Sequence, residues 1–127
     1  SGNDITIVSS GHTSMLARNA AESLLAKNIS CEVIDLRVLN PFFADDIILS
    51  VKKTQNLLVV DSGTMTGSFS GEVISKVVEN IPTSCLRNQP KRLALPDAPA
   101  PTSRVLESAY YLKENDIEEA VSRMLNK

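Results

Sequence analysis

The chain has 127 residues, a net charge of −2, 43% apolar and 22% charged side chains, and two cysteines. A chain of this length buries one core without a disulfide or a structural metal, so a single α/β-sized domain is expected. The slight acidity offers no field for nucleic acid or anionic lipid. No apolar run reaches the length of a membrane span, and no signal-peptide pattern opens the sequence. Cys31 and Cys85 lie far apart with no Cys-x-x-Cys pair, which reads as a reduced, cytoplasmic chain whose Cys31 serves as a small hydrophobe in a strand.

Taken in order, Ile5, Ile7 and Val8 sit in a β-branched run at 4–9 that Gly11 ends, a first strand. Leu16, Ala20 and Leu24, with Ala17, Ala21 and Leu25 beside them, form a broad helical stripe, with Thr13 or Ser14 as the acceptor for its free N–H groups and Asn28 as its stop. Residues 31–36 are crowded with apolar side chains, as in a strand covered on both faces. Asn40-Pro41 turns the chain. Ile47, Ile48 and Val51 mark the inner side of a second helix, and 57–60 is a continuous apolar run suited to a central strand. Residues 62–68 read as a loop into a third helix with Phe69, Val73 and Val77 inward and Ile74 and Val78 adjacent.

Beyond Asn80 the pattern is weaker. Residues 91–95 make the next strand, and 84–86 a loop or short edge piece. Pro96, Pro99 and Pro101 exclude regular helix and favour an extended crossing, with a short helix at 103–109. A final helix follows, with Asp116 and Glu119 at capping-box spacing and Ile117, Ala120, Val121 and Met124 inward. Strands alternating with helices imply parallel pairing. The expected architecture is three-layer α/β/α over a mainly parallel sheet of four to five strands. Two other parallel folds are disfavoured: Ser9-Ser10 stand where a receiver domain needs acids, and no Gly-x-x-x-x-Gly-Lys phosphate loop occurs.

Four blocks then carry a resemblance: Asp4-Ile-Thr-Ile-Val8; Glu32-Val-Ile-Asp-Leu-Arg-Val-Leu-Asn-Pro41; Ser50-Val-Lys-Lys-Thr54 with Leu57-Leu-Val-Val-Asp61; and Lys91-Arg92 followed by Pro96-Asp-Ala-Pro-Ala-Pro101 and Leu106-Glu107. In this order and spacing they resemble the C-terminal domain of the β subunit of thiamin-diphosphate-dependent 2-oxo acid dehydrogenases of the pyruvate type, within the transketolase C-terminal domain family. The resemblance covers residues 4–127 as one domain, with the catalytic domains upstream. Two departures are local. Phe42-Phe43 displace the acidic helix start to Asp45, and Ser68 and Ser70 stand in the glycine-rich entry before Glu72.

The resemblance implies an oxidoreductase parent that binds thiamin diphosphate and magnesium, decarboxylates pyruvate or a related 2-oxo acid and passes the acyl group to lipoyl groups. This chain lacks the family's Gly-Asp-Gly motif, so it carries no implied catalytic, cofactor or metal residue and is expected to be inactive alone. The edge strand the family places upstream of Asp4 is also missing, as in a trimmed chain or an incomplete family domain, and Ser1-Gly2 could be a tag scar. The implied role is assembly with the other β subunit, the α subunit or upstream domains, and the dihydrolipoyl acyltransferase core. A transketolase or deoxyxylulose-phosphate synthase parent stays open, as does a free-standing anion-binding or interaction module. Which 2-oxo acid the parent uses is not written in these residues.

The residues themselves offer two candidate surfaces. With strand order second-first-third-fourth, Ser10, Gly11 and His12 meet Ser62 and Gly63 at helix N-termini where an anion crevice forms, although ordinary loop roles are the plainer reading. Tyr110 and Tyr111 are the candidate interface of a weak homodimer. Asp45-Asp46 and Glu118-Glu119 point in different directions on helices and form no carboxylate dyad. Arg87, Lys91 and Arg92 make a small basic cluster, read as a solvated edge.

Overall fold

Apolar residues alternate with Thr6 along the first strand, and both of its faces need cover. The computed structural model supplies it, describing residues 2–36, 44–64, 69–95 and 112–127. Strands β1 (Ile5–Ser9), β2 (Cys31–Asp35), β3 (Leu57–Thr64) and β4 (Lys91–Leu95) form a parallel sheet of order β2-β1-β3-β4. Helices α1 (His12–Leu25) and α4 (Glu114–Leu125) lie on one face; α2 (Asp45–Thr54) and α3 (Phe69–Glu79) lie on the other.

The two-residue period of a strand sorts the core into two halves. Ile5, Ile7, Leu58 and Val60 meet Ala17, Ala20, Leu24, Ile117 and Val121 on the α1/α4 side. Val8, Leu57 and Val59 meet Ile47, Val51, Val73 and Val77 on the α2/α3 side. Leu24, fully buried, alone is worth about 1.5–3 kcal/mol of apolar transfer. Leu25, one residue on, falls outside the helix stripe expected to include it and is 63% exposed.

Helix ends depart from the simplest capping expectations. Gly11 is the N-cap of α1 at φ 58°, a backbone state that favours glycine, and neither Thr13 nor Ser14 caps it. Asn28, as expected of a stop signal, takes the left-handed conformation at φ 64°. Asp116 is not the N-cap of α4 but its third residue: the Lys113 N–H donates to Asp116 Oδ2 at 2.8 Å. The capping-box pair is therefore Lys113 and Asp116, three residues earlier than the sequence pattern suggests. A 3-10 turn, Thr83–Cys85, replaces the loop or edge piece expected at 84–86.

Strand β3 also runs further than its apolar residues. It continues through Ser62 and Gly63 to Thr64, where a loop was expected. Between Val60 and Thr64 it advances four residues while β4 advances two, from Leu93 to Leu95, so the ladder is bulged within that stretch. Polar backbone can still pair in a ladder, which apolar patterning does not register.

Candidate functional site

Open α/β sheets bind ligands beyond the C-terminal strand ends, where the strand order reverses. Here that point lies between β1 and β3. Ser9 is paired with Asp35 on one side and Val60 on the other, so β1's end lies between two carboxylates, Asp35 and Asp61. Ser9 Oγ donates to Ser14 Oγ at 3.1 Å, and Ser14 Oγ donates to Asp35 Oδ1 at 2.7 Å. Thr13 Oγ1 accepts from the Ser10 N–H at 3.2 Å and lies 2.7 Å from the Ser10 carbonyl and 3.2 Å from that of Val60. The first turn of α1 is thus tied to both neighbouring strands. Asp61 is buried, and its Oδ2 accepts from the Ser70 N–H of α3 at 3.1 Å, placing negative charge where the helix N-terminus favours it.

The sequence-predicted crevice residues fall on this crest. Ser10 is buried directly after β1, Gly11 follows it, and His12 is the first residue of α1. Ser62 and Gly63 belong to the bulged end of β3. Sequence reasoning named Ser14 only as a helix-end acceptor and Ser70 only as a departure from a glycine-rich entry, and it gave neither these nor Asp35 a place in the crevice, although they tie the crest together. Their signal was weak because each is an ordinary polar residue until the register brings it to its partner. Tyr110 and Tyr111 lie outside the described residues, as do Pro96, Pro99, Pro101 and the Asn40-Pro41 turn.

A second polar centre lies under α2. Thr6 Oγ1 is 2.7 Å from both Ser50 Oγ and Thr54 Oγ1, and all three residues are buried. Ser50 Oγ donates to Glu32 Oε2 at 2.5 Å, and Lys53 Nζ stands 2.8 Å from the same oxygen. Hydrogen bonds from Lys53 and then Ser50 hold the Glu32 carboxyl below the usual glutamate range. Cys31 is half-buried; burial, with the charge of Asp4 second, pushes its thiol up to about 11. A protonated thiol of that kind is a poor nucleophile. Asp45 and Asp46 are exposed in the first turn of α2, and Glu118 pairs with Lys27 at 3.8 Å. Neither acidic pair forms a dyad. Among the described residues no three His, Cys, Asp or Glu side chains converge as a metal site, and no helix is long and apolar enough to cross a membrane.

Comparison with known proteins gives this geometry a family. The family model described as "Transketolase, C-terminal domain" matches residues 1–117. The pyruvate dehydrogenase E1 component subunit beta of Mesostigma viride is 36% identical over 98% of this chain and 38% of its own length. The 2-oxoisovalerate dehydrogenase subunit beta of Bacillus subtilis is 35% identical over the same shares, 98% and 38%. The chain therefore spans little more than a third of these relatives. A solved structure titled as a split gene transketolase, inactive beta4 tetramer, superposes with a TM-score of 0.84 at 25% identity, over 99% of this chain and 40% of that one. The matched residues, the four parallel strands in the order β2-β1-β3-β4 and the helices on both faces agree, and the chain belongs to the transketolase C-terminal domain family.

Proposed function

We propose that this chain is the non-catalytic C-terminal assembly domain, residues 4–127, of the β subunit of a thiamin-diphosphate-dependent 2-oxo acid dehydrogenase. The observation that carries this reading is similarity along nearly the whole chain to proteins named as pyruvate and 2-oxoisovalerate dehydrogenase β subunits. The parent would decarboxylate pyruvate or a related 2-oxo acid and hand the acyl group to a lipoyl arm. This chain's part is to hold subunits together. Its partners are the other β subunit, the α subunit or upstream domains, and the acyltransferase core, in the cytoplasm.

This reading asks no thiamin-diphosphate or magnesium site of the residues described. The carboxylates of the crest accept hydrogen bonds from Ser14 and the Ser70 N–H, and no metal-ligating cluster accompanies them among the described residues. On this reading the cofactor is held by the rest of the parent. A transketolase parent is the second reading, favoured by the structural match to a transketolase.

The coding region upstream of Ser1 and the activity of the protein it encodes distinguish the two. Decarboxylation of pyruvate or 2-oxoisovalerate by the assembled parent supports the first. Two-carbon transfer between sugar phosphates without 2-oxo acid decarboxylation supports the second. A gene encoding this domain alone, with neither activity in any assembly, would sink both.

A further inference from the structure

Lys91 opens β4, and Arg123 lies in the last turn of α4, 32 residues further on. The fold sets them on the rim of one cavity of about 600 Å³ between β4 and α4. Its floor is apolar, built from Leu58, Leu93 and Met124. Leu58 is fully buried and Met124 is 8% exposed. The strand period puts Lys91 on the same face of β4 as Leu93, above that floor. Asn126, at the left-handed C-cap of α4, adds an amide to the rim.

Charge and size point to one kind of occupant. No Asp or Glu is among the described residues that line it, although Arg123 also lines a smaller hollow with Glu118 and Glu119. Lys91 and Arg123 are both exposed, and neither makes an ion pair among the described residues. Elsewhere Lys53 and Lys27 are paired with Glu32 and Glu118. Arg18, Lys52, Lys76, Arg87 and Lys127 likewise make no ion pair among the described residues, so what sets Lys91 and Arg123 apart is that both line one apolar-floored hollow. The volume lies within the range of small-molecule sites, about 300–1,000 Å³. A flat apolar body would cover the floor, where the thioether of Met124 suits an aromatic ring. A carboxylate or phosphate would lie between the ammonium and the guanidinium.

We propose that the cavity between β4 and α4 is a binding site for a small aromatic organic anion, a carboxylate or a phosphate monoester. It is separate from the crest of the sheet and independent of the parent's catalytic identity. The basic cluster seen in sequence contributes Lys91 and Arg92 to its lining. Arg123 comes from a distant helix and could not be joined to it before the fold was known.

Methyl NMR on the 127-residue chain, labelled at Leu and Met, tests this with four probes: 3-phenylpropionate, phenyl phosphate, benzyl alcohol and inorganic phosphate. One or both aromatic anions should shift the Leu93 and Met124 methyls saturably, and the tighter of the two identifies the head group. Benzyl alcohol and inorganic phosphate should bind at least about tenfold more weakly, since each lacks one half of the match. Lys91→Gln and Arg123→Gln should each weaken the anion by about fivefold, as for a partly exposed ion pair, with unchanged melting midpoints. Four outcomes overturn the site: no saturable shift, equal binding of benzyl alcohol, equal binding of inorganic phosphate, or no effect of either variant. Shifts that follow protein concentration without any probe would make the hollow a contact between copies and overturn it too.

Discussion

The three hydroxyls under α2 should show a specific kind of non-additivity. Ser50 gives its proton to Glu32, so in the intact network Thr6 donates to Ser50. Thr54 can donate to Thr6 or to the Asn56 carbonyl at 3.1 Å. Remove Ser50 by Ser50→Ala, and Thr6 turns to donate to Thr54, which donates to Asn56. Remove Thr54 by Thr54→Val, and Thr6 still donates to Ser50. Each single deletion therefore leaves every remaining donor with an acceptor. Each should cost about 1 kcal/mol, the net worth of a hydrogen bond in a folded protein.

The double variant is different. Without the Ser50 and Thr54 hydroxyls, Thr6 at 0% exposure keeps a donor with neither of its two hydroxyl partners. Its desolvation should add about 1–3 kcal/mol beyond the sum of the singles. Adding Thr6→Val removes the stranded hydroxyl, and the triple variant should regain most of that excess despite carrying one more substitution. Urea melts followed by circular dichroism give all four values. Additivity within about 0.5 kcal/mol, or a triple variant no more stable than the double, would refute the directed network. The pH dependence supplies a second reading. Glu32's folded pKa is depressed below the ordinary 4.5, so its contribution is present above that value and fades as pH falls through the folded pKa. Because Ser50 is one of the depressing donors, the Ser50→Ala penalty should shrink below pH 4.5.

Three further outcomes follow from burial and backbone. Val59→Asp places a carboxylate at 0% exposure between Val8, Val73 and Val77 and should cost about 3–5 kcal/mol, comparable to an uncompensated buried charge; a melt within 1 kcal/mol of the parent would place the core elsewhere. Gln55 holds φ 64° after α2, so Gln55→Gly should raise stability by about 0.5 kcal/mol once the added chain entropy is offset; a lower denaturation midpoint would contradict that. Cys31, with its thiol pushed up to about 11, should show iodoacetamide alkylation that still rises between about pH 8 and 10; a plateau by pH 9, read by mass spectrometry of its peptide, would count against the thiol's buried environment.

What the sequence disclosed is set by how far each signal reaches along the chain. The run 57–60 disclosed its strand because four consecutive apolar residues need cover on two faces, and all four are fully buried. The stripe Leu16, Ala20, Leu24 disclosed α1 because helical period is local. Strand order was legible because alternating strands and helices of this length allow few parallel topologies. Polar pairing was not legible. Ser14 meets Asp35 across 21 residues and Thr6 meets Ser50 across 44, and hydroxyls carry no periodic mark that predicts a partner. Ser62 and Gly63 looked like loop for the same reason: the bulge that keeps them in β3 depends on β4. The unequal legibility also separates two kinds of surface. At the crest of the sheet Ser9, Ser14 and Asp35 bond to one another, and Asp61 bonds to the Ser70 N–H. The hollow between β4 and α4 brings Lys91 and Arg123 over apolar floor residues with no ion pair among those described, which is why the proposed ligand is sought there.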